Sequence, residues 1–215
     1  MLQLRRLDLT AADSLLVLFR MVTSIRLAVV AAALLLGGCT YEQNRSVGAH
    51  FNAFNTEPPR GSSVTVCHAY GCKKRTRVHL SGDDMAAIKQ LMDEKRTVDN
   101  AERERIAVAY AVGWLERRVG AVTGTSADRA GMELFGPGDP TQQDCVDEAT
   151  NTTSYLVLLH SHGLIKYHTI GTPFAKENLT RGIAGWPHWT AVLNESSSGQ
   201  RWAVDSWIYA NGENP

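Results

Sequence analysis

Cys145 lies in the run Thr141-Gln142-Gln143-Asp144-Cys145-Val146-Asp147-Glu148-Ala149, which reads as a loop entering a helix with the cysteine on its first turn. Asp144 is a short side-chain acceptor suited to cap that helix by taking an orphan N–H of the first turn. Asp147 and Glu148 follow where the positive end of the helix dipole favours carboxylates. The same end favours a thiolate over a thiol, so a cysteine here is a candidate nucleophile. A buried structural cysteine on a core helix is the competing reading of this stretch. The helix continues through Asn151 to His160, polar in its first half and apolar almost all round in its second, and Gly163 stops it. Such a rod is expected to be buried at its far end and open where Cys145 sits.

A cysteine nucleophile needs a base and a group that orients the base. Downstream stand His160, His162, His168 and His188. His160 and His162 lie too far along the rod, roughly 20 Å from Cys145 at about 1.5 Å per residue. Asp205, the only aspartate after Asp147, decides between the other two. Folding 188–193 onto 201–207 through a loop at Glu195-Ser196-Ser197-Ser198 pairs Asn194 with Gly199 and sets His188 opposite Asp205. Opposed residues share a face with Cβ atoms about 5 Å apart. A slip of one residue would send the two to opposite faces. The competing reading makes His188 a strand start after Trp186-Pro187 and Asp205 a solvated strand residue. Trp186, Trp189, Trp202 and Trp207 crowd these strands and are read as walls of a substrate groove (Trp186, Trp189 and Trp207 above all), an aromatic binding surface or plain core.

The elements that must position these groups come next. Cys67 and Cys72 are flanked by the strand-like runs 63–66 and 75–80. A four-residue hairpin loop, His68-Ala69-Tyr70-Gly71, would set the two cysteines directly opposite for a cross-strand disulfide. A metal pair using His68 or His79 is the alternative; the expectation is no metal and no cofactor. Ser81-Gly82-Asp83-Asp84 has helix-start chemistry, with Met85, Ile88, Leu91 and Met92 at helical spacing. Asn100 caps a second helix, with Ile106, Ala109, Tyr110, Gly113, Trp114 and Val119 on or near its buried face, and 120–140 is loop-like. After Gly163 the period changes to two: 164–170 is a strand, 171–185 a polar connection, and two more strands follow.

The N-terminus has the layout of a secretory signal. From Met21, the better start, a short positive region with Arg26 leads into an apolar core and small residues before Cys39. The apolar run is about a dozen residues, short of the ~20 that span a bilayer. Leu36-Gly37-Gly38-Cys39 resembles a bacterial lipobox, which implies lipidation at Cys39 and a lipid-anchored protein of the cell envelope facing the periplasm, with the outer membrane preferred. An ordinary cleaved signal is the alternative. Residues 1–38 are therefore set aside as signal, 39–62 read as a flexible tether, and 63–215 as one domain. With 22 basic and 22 acidic residues the formal charge is zero, and no basic block marks a nucleic-acid partner.

Asp144 to Ala149 at a helix start, His188-Trp189-Thr190-Ala191-Val192 on one strand and Ala203-Val204-Asp205-Ser206 on the next resemble the transglutaminase-like superfamily. The similarity is closest to its bacterial cysteine-peptidase branch and covers roughly 140–210. The resemblance implies an α+β, papain-like fold with the nucleophile helix packed on an antiparallel sheet. It also implies Cys145 as nucleophile, His188 as general base and acid, and Asp205 as orienter. The oxyanion would be held by the backbone N–H of Cys145 and a side-chain donor, for which Gln142 and Gln143 are candidates. Val146 interrupts the acids through which some peptidases of the branch bind calcium, so no calcium site is expected. The implied activity is attack on an amide bond of a peptide or protein substrate in the envelope, with peptidase or amidase preferred to transglutaminase. The rival expectation is a non-catalytic lipoprotein that uses the same fold to bind.

Overall fold

The computed structural model describes residues 46–131, 138–176 and 188–213. Its elements in order are α1 (Val47–Ala53), β1 (Ser63–His68), β2 (Lys74–His79), α2 (Gly82–Lys95), α3 (Ala101–Thr123), α4 (Cys145–Ser161), β3 (His168–Lys176), β4 (His188–Glu195) and β5 (Arg201–Val204). Two antiparallel sheets result, a hairpin β1-β2 and a three-stranded sheet ordered β3-β4-β5, so the expected α+β class stands. The described residues fall in one compact unit. None of their helices is long and apolar enough to cross a membrane. The expected signal, Met21 start and Cys39 lipidation site lie outside the described residues.

Helix ends follow local chemistry. Ser81 and Asp84 form a reciprocal capping box at α2, Asn100 caps α3 and left-handed Gly124 closes it. So α3 runs to Thr123, four residues into the stretch expected to be loop. Its core face is also rotated from expectation: Ala107, Val108, Ala111, Val112, Leu115 and Val119 pack into the core with Ile88, Met92, Leu156 and Leu159. Strand β4 is buried on both faces from Thr190 to Leu193, as the central strand of a sheet lined by α4 must be.

Three expectations are corrected. The tether is folded from Ser46 onward: Ser46 caps α1, and His50 and Phe51 are buried. There His50 Nε2 bonds Thr150 Oγ1 of α4 at 3.0 Å. The spacing of His50, Phe51 and Phe54 on one helical face was the available signal. Strand β3 begins at His168 and continues to Lys176 through an irregularity between Gly171 and Phe174, so much of the expected connection is sheet. A Cβ on Gly171 would meet Val192 Cγ1 at 2.5 Å, which is why this strand carries a glycine where it crosses β4.

The third correction concerns α4, whose polar half is buried along with its apolar half, from Asp147 to Tyr155. A buried hydroxyl or amide requires a partner, and each has one. Thr153 donates to Ala149 O at 2.6 Å and Ser154 to Thr150 O at 3.1 Å. Asn151 brackets the Cys67 peptide, accepting from its N–H at 2.6 Å and donating to its carbonyl at 2.8 Å. Polarity here serves contact with other elements and with the helix's own carbonyls, not with water.

Candidate active site

Cys145 is the first residue of α4 and is half-buried. Asp144 caps the helix: its Oδ1 accepts from Asp147 N at 2.9 Å, while Asp144 N donates back to Asp147 Oδ2 at 3.3 Å. The Asp147 carboxylate is fully buried and takes two further N–H donors, Tyr70 N at 2.8 Å and Cys72 N at 2.6 Å. Burial and the neighbouring Asp144 push this acid up to about 7, against the pull of those N–H groups.

Those donors come from the β1-β2 hairpin. Cys67 and Cys72 are joined by a disulfide, as expected, but not across strands. The register pairs Cys67 with Arg75 and His68 with Lys74, so Cys72 belongs to the loop. Ala69, Tyr70, Gly71 and Cys72 are all left-handed, with φ between 55° and 71°. Consecutive left-handed residues turn the chain back on itself and aim their N–H groups into a concavity that suits an anion; the anion here is Asp147. Ala69 N also bonds Gln142 O at 3.0 Å. The hairpin thus clasps the residues on both sides of Cys145.

This arrangement corrects the oxyanion assignment. Gln143 Nε2 donates to Cys67 O at 2.9 Å and Gln142 Nε2 to Ala127 O at 3.0 Å, and both residues are buried. The amides hold the loop ahead of Cys145 and donate to main-chain carbonyls. Potential metal donors among the described residues gather once, at Cys67, Cys72 and Asp147, where the sulfurs are bonded to each other. His68 bonds Pro140 O and Thr76 Oγ1 through its two nitrogens, and His79 Nδ1 bonds Ser63 Oγ.

His188 and Asp205 meet: Nε2 lies 2.6 Å from Asp205 Oδ2. The register that brings them together differs from the expected one. Asn194 pairs with Arg201 and Ala191 with Val204, two residues from expectation, and β5 ends before Asp205. A shift of two preserves the face, so the pair survives as a diagonal contact. Nδ1 of His188 is buried without a partner of full hydrogen-bond geometry, which leaves it for the thiol. Burial alone would lower His188, but hydrogen bonding to Asp205 and then to Cys145 raises it from 6.5 to about 9. His168, the other candidate, is fully committed to Glu104 Oε1 at 2.9 Å and Arg105 at 3.3 Å.

Of the tryptophans, Trp207 lies against the His188 ring at 4.5 Å, whereas Trp189 packs on His50 and Phe54 of α1. Trp202 is partly exposed and stacks under Arg105 at 3.8 Å; Trp186 lies outside the described residues. A cavity of about 620 Å³ opens between α3 and the segment 202–213. Ile106, Ala109, Tyr110 and Asp205 are in its wall, and Cys145 and His188 are not. Four of the α3 residues expected on the core face, Ile106, Ala109, Tyr110 and Gly113, line this cavity instead, while Val119 is in the core and Trp114 packs against it.

Sequence reasoning missed Asp128, whose Oδ1 accepts Gln143 N at 2.8 Å two residues before the thiol. It also missed Ser206, whose Oγ lies 3.1 Å from both Glu148 Oε2 and Thr152 Oγ1. An aspartate and a serine beside longer motifs carried no signal of their own. No family model matches this chain, and neither a curated protein nor a solved structure does.

Proposed function

We propose that this protein is a thiol hydrolase or acyltransferase of the transglutaminase-like, papain-like kind, acting on amide bonds through Cys145, His188 and Asp205. The observation that carries the reading is one imidazole interacting with both Asp205 and Cys145. A proton passed from the Cys145 thiol to His188 leaves a nucleophilic sulfur. The sulfur attacks the amide carbonyl, and the imidazolium held by Asp205 returns its proton to the leaving amine. The product is a thioester. Water then releases a carboxylic acid, or a second amine forms a new amide, with His188 as base in either case. Raised to about 9, His188 carries the proton at neutral pH that a leaving amine needs. Trp207 packs against the imidazole and helps to hold it in place. Peptidase or amidase action is preferred to transamidation. The lipobox-like run ending at Cys39 supports an envelope lipoprotein acting on peptide or protein there.

Alkylation of Cys145 by iodoacetamide in the folded protein tests the reading. Labelling is expected to slow by about tenfold or more in His188→Ala, and in Asp205→Ala by a smaller factor. Equal rates in all three proteins would leave a non-catalytic binding lipoprotein.

A further inference from the structure

Beneath the triad runs a chain of buried polar groups that the reaction does not use. Thr152 Oγ1 lies 3.1 Å from Ser206 Oγ, which in turn donates to Glu148 Oε2 at 3.1 Å. Asp128, a second buried acid beside Glu148, accepts the Gln143 N–H on its Oδ1 at 2.8 Å. Thr152, Ser206, Glu148 and Asp128 are all nine-tenths or more buried. Burial and the neighbouring Glu116 and Asp128 raise Glu148 above the carboxyl range.

The two ends of this chain are what give it meaning. Gln143 precedes Cys145 by two residues, Glu148 lies one helical turn below the thiol, and Ser206 is the neighbour of Asp205. Strand β5 ends at Val204, so sheet pairing does not fix Asp205; the Ser206 side chain anchors it from the other side. Resting on the reading of Cys145, His188 and Asp205 as a triad, we infer that Ser206 and Glu148 are positioning residues. They lock the segment carrying the orienting aspartate to the helix carrying the nucleophile.

Ser206→Ala, Glu148→Ala and Glu148→Gln decide the matter. Each is checked for folding by thermal unfolding, then read by the His188 imidazole N–H resonance and by the iodoacetamide rate at Cys145. Glutamine keeps an oxygen where Glu148 Oε2 accepts from Ser206, whereas alanine removes it. Glu148→Gln is therefore expected to keep the wild-type resonance and rate. Ser206→Ala and Glu148→Ala should move the resonance towards that of Asp205→Ala and slow alkylation about tenfold, in line with the sensitivity of reacting groups to small displacements. Folded Ser206→Ala with a wild-type resonance and a rate within twofold overturns the inference. So does Glu148→Gln behaving like Glu148→Ala. An unchanged rate in His188→Ala would instead remove the triad reading, while the resonance still reports whether Ser206 holds Asp205.

Discussion

Two buried groups of acids, both anchored on α3, show how differently one chain can house negative charge. Glu104 is saturated: Lys166 N, Tyr167 N and His168 Nδ1 donate to it at 2.7, 2.9 and 2.9 Å, and Arg96 lies 3.6 Å away. It docks the start of β3 onto α3. Glu116, Asp128 and Glu148, next to the candidate site, face one another. Burial pushes Glu116 to about 7 and Asp128 to about 6, against their N–H donors and the pull of Arg117 and Arg129. The first group is a joint that pairs an acid with N–H donors and an arginine; the second is raised chiefly by burial, with like charge adding to it at Glu116 and Glu148. Crowded acids of this second sort gather around reactive groups more than around joints.

The largest test of the contrast is Glu104→Ala. It strands His168, Arg96 and two backbone N–H groups in the interior and should cost about 3–5 kcal/mol, read from the urea midpoint. A cost below about 1 kcal/mol would mean that Glu104 is no joint.

The pH dependence of stability comes next. An acid whose folded pKa is raised binds a proton that the unfolded chain has already released. Stability contributed by Glu116 is therefore full below 4.5 and lost as pH rises through about 7, a change on the order of 3 kcal/mol. His188 works in the same direction: raised to about 9, its contribution is full below 6.5 and lost as pH approaches 9. Urea midpoints should fall steadily from pH 5 to pH 9, and Glu116→Gln should flatten the lower half of that fall. A midpoint that climbs with pH would break the comparison.

Smallest is the loss of the Cys67–Cys72 bridge in the double serine variant, about 2 kcal/mol for so short a loop, read as a lower thermal midpoint. It sharpens the contrast by loosening a third acid, Asp147, whose donors are all backbone N–H groups.

What was legible in the sequence was whatever depends on parity and local chemistry. His188 and Asp205 were found although the register was off by two, because face alternation forgives even shifts. Asp144 and Asn100 announced their helices because capping is a contact between near neighbours. The fates of Gln142 and Gln143 depended on carbonyls at Ala127 and Cys67, which no local pattern reveals. Helix α3 misled because it has two occupied faces, one on the core and one on the cavity, so a single apolar stripe could not tell them apart. The left-handed run at Ala69–Cys72 contains only one glycine, and nothing in its composition marks the anion it cradles.

That cradle has a consequence for the order in which the molecule is assembled. Asp147 is separated by 77 residues from Tyr70 and by 75 from Cys72, and closing so long a loop carries an entropy cost that must be met before the contact returns anything. Until the hairpin arrives, the first turn of α4 holds a carboxylate that cannot be buried. Once it arrives, the turn and the thiol beside it become rigid together. The Cys145 end of the helix is thus completed by a partner made long before it, and a chain with its hairpin still open has no finished place for the cysteine.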